Sequence, residues 1–204
     1  MALQKIWVSL VLSFAAASAV AQADNYDIFM LPGGKTLMVP SFRTYVASGY
    51  KPSEKNMEFL KGLKEKVTAP KLLAFDVTKN NKDMMLCRAS FPVYAPNKTS
   101  FAAFVEAAIN MELVASGLVD PEAPRVPATL NEFEFSSFGG GKWTIDVSAT
   151  PENKPALNVK NVYEYSVSFM AGKGCADVMQ ALPMGVESFL MKLYADPGFV
   201  ELMQ

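Results

Sequence analysis

Apolar and polar positions alternate most clearly in the second half of the chain. Trp143, Ile145, Val147 and Ala149 point one way while Lys142, Thr144, Asp146 and Ser148 point the other, the period of two that sends successive strand side chains to opposite faces. Tyr163, Tyr165, Val167 and Phe169 alternate in the same way with Glu164, Ser166 and Ser168, and Phe133 and Phe135 with Glu132 and Glu134. Consecutive strands of this kind predict an antiparallel meander, apolar toward helices and polar toward water. Between the first two of them lies Phe138-Gly139-Gly140-Gly141-Lys142. A phosphate loop needs GxxxxGK[ST] leading into a helix, whereas Trp143 onward reads as a strand. Gly139, Gly140 and Gly141 are therefore read as the positive-φ residues of a hairpin turn.

Helical spacing marks three other segments. From Ser53, a capping residue, Phe59, Leu60, Leu63 and Val67 share a face opposite Lys61, Lys64, Glu65 and Lys66, and Pro70 ends the run. Ser100 caps a second helix bearing Phe101, Phe104, Val105, Ala108, Leu113 and Val114, stopped by Gly117. A third follows Cys175 with Val178, Leu182, Val186, Phe189, Leu190 and Leu193; Pro183 is expected to kink or delay it and Asp196-Pro197 to end it. Residues 72–77 and 84–91 read as strands joined in a hairpin across 79–83. Residues 24–50 read as an N-terminal hairpin or extension, with strands at 26–31 and 35–39 about Pro32-Gly33-Gly34. The pattern predicts an α+β fold: a two-layer sandwich of a mainly antiparallel sheet, with three helices on one face, as a single domain over 24–204.

Residues 1–23 change the setting. Lys5, the apolar run 6–20, and small residues at Ala19, Ala21 and Ala23 form a signal peptide with A-x-A cleavage sites. The run is short beside the ~20 apolar residues of a bilayer span, and no cysteine stands at the cleavage site to accept a lipid. A periplasmic protein, soluble after cleavage and without an integral span, is the expectation. Loss of Lys5 takes the formal charge only from −1 to −2, and without a basic stripe nucleic acid is not an expected partner. In an oxidising compartment Cys87 and Cys175 are expected to form one structural disulfide, their spacing being far from the C-x-x-C of redox pairs.

Candidate chemistry is sparse. The chain has no histidine, which removes Ser-His-Asp and Cys-His nucleophiles and most zinc and Cu(II) sites. Its twelve methionines are scattered and are expected mostly as core filler rather than Cu(I) ligands. No metal, cofactor or catalytic residue is assigned. Glu132, Glu134, Thr144, Asp146, Glu164 and Ser166 make up a candidate polar sheet face; a carboxylate-based hydrolase is one reading of its acids, and a solvated face is the expected one.

The segment Phe135-Ser136-Ser137-Phe138-Gly139-Gly140-Gly141-Lys142-Trp143, the strand Tyr163 to Phe169, Cys175, and the tail Asp196-Pro197-Gly198-Phe199 resemble a family of proteobacterial envelope lipoproteins of unassigned function. Cys87-Arg88 and the helix ending Met111-Glu112-Leu113-Val114-Ala115-Ser116-Gly117 fit the same pattern, so the likeness covers about residues 84–200. It implies an architecture similar to small envelope accessory domains, such as auxiliary lipoproteins of transporters and the N-terminal domain of the Tol-system periplasmic protein. The chain departs from the family in lacking the lipid-accepting cysteine. The leading expectation is a non-enzymatic accessory protein of the envelope that binds another envelope protein. The alternative is a periplasmic carrier of a small apolar or lipid-like ligand, held between helices and sheet.

Overall fold

The computed structural model describes residues 26–30, 36–40, 44–76 and 82–204. The signal segment 1–23, the Pro32-Gly33-Gly34 turn and residues 79–81 of the expected linker lie outside the described residues. The chain divides into two compact units, residues 1–41 and 42–204. In the first, β1 (Tyr26–Met30) and β2 (Thr36–Pro40) pair antiparallel with Ile28 opposite Met38, the two strands expected there.

The second unit is mixed α+β, and its strands form two sheets rather than the one expected. It contains β3 (Tyr45–Val46), α1 (Glu54–Gly62), β4 (Leu72–Phe75), β5 (Met84–Cys87), β6 (Phe91–Tyr94) and α2 (Phe101–Ala115), followed by β7 (Arg125–Ser136), β8 (Gly141–Ala149), β9 (Leu157–Tyr165), α3 (Ala171–Ala195) and α4 (Pro197–Leu202). The larger sheet runs β4-β7-β8-β9 and the smaller β3-β6-β5. The expected hairpin between 72–77 and 84–91 does not form. β4 instead lies parallel to β7, Leu73 opposite Val126, and β5 turns back at Arg88–Ser90 to pair with β6. Composition gives the reason: Leu72, Leu73 and Phe75 are all buried, so β4 is covered on both faces as parallel strands are, while Met84 and Leu86 of β5 stand in solvent. A parallel pair needs a long crossover, and α2, which packs on β4, lies within it.

The meander forms with corrected limits. β7 begins at Arg125, and a register shift between Leu130 and Glu132 brings Val126, Ala128, Leu130 and Phe133 onto one buried face. β9 spans Leu157–Tyr165 rather than running to Phe169, because its partner begins at Gly141, opposite Tyr165, and leaves nothing for Val167 and Phe169 to pair with. Trp143 is the largest fully buried side chain; it packs with Phe133 and Phe135, and its indole N–H donates to the Val178 carbonyl at 3.0 Å. Gly185 of α3 lets the helix come close, since a Cβ there would sit 3.2 Å from that of Trp143.

Helix ends follow local chemistry with exceptions. Ser100 caps α2 by accepting from the Ala103 N–H, and Gly117 ends it at φ +69°. α1 stops at Gly62, short of Val67, where glycine costs a helix ~1 kcal/mol. Ser53 caps nothing there: its hydroxyl donates to Glu187 at 2.7 Å. α3 starts at Ala171, so Cys175 lies inside it, and it runs through Pro183 without a break. Both sheets contact α3, and the Cys87–Cys175 disulfide joins it to β5 with Cα atoms 5.9 Å apart. Methionine is not mostly core filler: among the described residues Met179 and Met203 are buried, while Met84, Met111, Met170 and Met184 are exposed.

Candidate functional site

The outer face of the large sheet carries Glu132, Glu134, Thr144 and Asp146, and its three acids find partners elsewhere in the chain. Glu132, opposite Asp146 in the ladder, accepts from Lys160 at 2.6 Å, which together with Asp146 raises the lysine above its ordinary value. Glu134 is paired with Lys82 at 3.3 Å, and Asp146 accepts from Asn131 at 3.1 Å. Thr144 was expected on this face and is buried beneath its neighbours, Glu134 opposite on β7 and Val162 opposite on β9. The acids of this face are thus held by Lys160, Lys82 and Asn131.

Glu164 is on the same face, opposite Lys142 at the end of the sheet, and Ser166 lies just beyond the strand, both beside the glycines. Gly139, Gly140, Gly141, Glu164, Tyr165 and Ser166 line an open concavity of about 620 Å³ with Phe138 and Lys142 on its wall. Gly139 and Gly140 supply positive φ, +65° and +131°, for the hairpin turn. Gly141 does not: it is needed because a Cβ there would fall 2.3 Å from the Tyr165 ring. The Tyr165 hydroxyl donates to the Ser136 carbonyl at 3.1 Å, and burial, with Asp177 nearby, pushes its pKa well up and keeps it a donor.

Arg88 ties this end of the molecule together. It and Ala89 turn β5 into β6 at φ +50° and +59°, a left-handed conformation costing ~1–2 kcal/mol per non-glycine residue. That turn sends the guanidinium into the gap between two loops. One nitrogen donates to the Phe169 carbonyl, and the other to the Ser168 and Ser137 carbonyls at 2.6 and 3.0 Å. Its carbon lies 5.1 Å from the centre of the Phe138 ring. Asp177 accepts from the Ser168 N–H at 2.7 Å. Gly174 leaves the room this requires: a Cβ would sit 2.6 Å from an Arg88 nitrogen and 2.7 Å from the Ser168 carbonyl. One residue along the chain from each, Cys87 and Cys175 are bonded.

The product is an apolar tip. Phe169, Met170 and Phe138 are 98 %, 71 % and 69 % exposed, on two loops anchored to one guanidinium. Single exposed apolar residues are ordinary; a gathered group on a fixed base is not. Phe169 was expected to face inward as the last residue of β9. An aromatic beside a glycine turn, Phe138, and a Phe-Met pair just ahead of a helix were the available signals.

A second polar centre is internal. Glu112 of α2 is fully buried and accepts from the Tyr50 hydroxyl at 2.5 Å, the Ser53 N–H at 2.7 Å and the Asn56 amide at 3.1 Å. The Asn56 amide also donates to the Glu187 carbonyl. Burial and the adjacent carboxylate push Tyr50 far above a phenol's usual range, and burial does the same to Tyr194. These bonds fasten residues 50–56 to α2 and α3.

No family model matches the sequence, and no curated protein matches it. Among solved structures it is similar to a Xanthomonas campestris protein of the DUF330 family at 10% identity, with a TM-score of 0.42 over 74% of this chain and 95% of that one. No helix among the described residues is long and apolar enough to cross a membrane.

Proposed function

We propose that the protein acts by binding rather than by catalysis, as a periplasmic accessory protein of the bacterial envelope, and that it docks on another envelope protein through the Arg88-anchored tip. The observation that carries this reading is the exposure of Phe138, Phe169 and Met170 on loops whose backbone is already held. Burying a phenylalanine is worth ~1.5–3 kcal/mol, and preformed loops lose little entropy on binding. Export is supported by the signal pattern of 1–23 and by the Cys87–Cys175 bond, of the kind that persists in oxidising compartments. The likeness of residues 84–200 to envelope lipoproteins points the same way.

The test is a photo-crosslinking amino acid placed at Phe169 in the exported protein within its host, and at Ser148 on the outer sheet face as the control. A discrete protein adduct from position 169, absent from 148 and reduced by Phe138→Ser, is expected. Equal labelling from both positions, or no protein adduct from 169, would overturn the proposal.

A further inference from the structure

The two sheets of the second unit end in four edge strands, β3, β5, β4 and β9, and three of these are blunted. On β4 the Leu73 N–H donates to Asn110 Oδ1 at 2.9 Å, the Asn110 amide donates back to the Leu73 carbonyl at 2.8 Å, and the Phe75 N–H donates to Glu106 at 3.0 Å. β9 carries Lys160 and Glu164, and the Lys160 carbonyl accepts from Lys192 at 2.7 Å. β3 is two residues long. Side-chain caps, charge and brevity are the usual means of keeping an edge from pairing with another chain.

β5 has neither cap nor charge. It reads Met84-Met85-Leu86-Cys87, and among the described residues nothing pairs with its outward side. Register decides which atoms face out. Pro92, opposite Leu86, has no N–H, and Tyr94, opposite Met84, turns its carbonyl the other way, to the Ala47 N–H at 3.0 Å. Bonded and non-bonded pairs alternate in an antiparallel ladder, so β6 holds β5 through Phe91 to Cys87 and Val93 to Met85. The N–H and C=O groups of Met84 and Leu86 are left facing away from the sheet, and their side chains are exposed as well. Across the sheet Met84 stands in one row with Tyr94 and Val46, and Leu86 in the next with Pro92.

We propose that the protein partner adds an extended segment to β5 as the fourth strand of the small sheet, bonded to the Met84 and Leu86 backbone, with apolar residues at every second position beside them. The occupant follows from complementarity: an extended backbone repeats donor and acceptor at the two-residue spacing of Met84 and Leu86. It follows also from place, because β5 runs straight into Arg88, the anchor of the tip, so that a strand on this edge continues the surface of Phe138 and Phe169. A second copy paired edge to edge would engage only four residues a side, far fewer than the ~20–30 of a stable interface. This inference rests on the reading of the tip as the docking site and gives the form of the partner there.

The photo-crosslinking amino acid placed at Met84, beside the probe at Phe169 and again within the host, tests it. The adduct from 84 is expected to match that from 169 in mass, and mass spectrometry to place it in a partner segment with apolar residues at alternate positions. Leu86→Pro removes the outward N–H and no ladder bond, a placement that edge strands tolerate. It should melt as the parent does and lower both adducts about tenfold, while Leu86→Val, which keeps the N–H, should retain them. Should Leu86→Pro not fold, Met84→Pro at the first residue of the strand makes the same test with the probe at 169. An adduct from 169 with none from 84, an adduct from 169 unchanged by a folded proline variant, or an adduct of two copies of this chain would overturn the strand and leave the tip standing. A proline-sensitive adduct from 84 with none from 169 would support the strand and overturn the tip. No adduct from either position would overturn both.

Discussion

The outer face of the large sheet and the Arg88 tip are both exposed, and they use side chains in opposite ways. On the sheet face, Glu132, Glu134, Lys160 and Asp146 meet partners of their own chain and leave little for another molecule. At the tip the polar atoms are turned inward: the Arg88 guanidinium donates to loop carbonyls, the Asp177 carboxylate accepts from the Ser168 N–H, and Phe138, Phe169 and Met170 are left outside. A solvated face needs no fixed geometry. A tip that holds apolar groups in water does, and two left-handed residues, a disulfide and a glycine packed against Arg88 supply it. Where a structure retains strain, a functional hypothesis has a physical starting point.

The comparison breaks first at the disulfide. Cys87→Ser and Cys175→Ser should each lower the melting temperature by about 10 °C, since the bond closes a separation of 88 residues, worth ~4–5 kcal/mol on the chain-entropy model. The double variant should match either single one, because all three remove the same bond; a clearly lower double-variant melting point in calorimetry would show that the thiols do something else. Gly174→Ala comes next. Its methyl group meets the Ser168 carbonyl and Arg88, so denaturant titration should show a loss of ~1–3 kcal/mol, together with loss of the Phe169 crosslink. Unchanged stability would mean that Arg88 is not seated as described.

Phe169→Ser sharpens the contrast by separating stability from binding. The side chain is 98 % exposed, so folding stability should move by less than ~0.5 kcal/mol, while affinity for the captured partner falls by about tenfold or more. A destabilised variant would place Phe169 in the core and remove it from the surface. The smallest effect is expected at Glu132→Gln, which removes an exposed ion pair with Lys160; melting should stay within about a degree, and the crosslink at Phe169 should be untouched.

How far the fold could be read in advance depended on the range of the interaction. β7, β8 and β9, the Ser100 cap, the Gly117 stop and the apolar stripes of α2 and α3 are local patterns, and they were legible because each is set within a few residues. The hairpin expected between residues 72 and 91 failed because a fully apolar strand states that both faces are covered and says nothing of which strand lies beside it. The tip was nearly invisible for a related reason. Arg88 is read as a surface arginine until the backbone of Ala89 turns it toward carbonyls 49 and 80 positions away in the chain, and Phe169 is read as an inward strand residue until its partner strand ends at Gly141.

By itself, then, the sequence determined the α+β class, the alternating faces of the meander, and the two cysteines available for a bond; it also excluded histidine chemistry outright. Those follow from residue types and short periods, which act through local conformation and burial. Only the tertiary structure decided that β4 runs parallel to β7, that Gly141 makes room for a ring rather than a turn, and that Glu112 is buried among donors from residues 50–56. It alone brought Arg88, Phe138 and Phe169 together. Such placements rest on contacts between distant segments, and their energies are comparable for many alternative pairings until the whole core is packed.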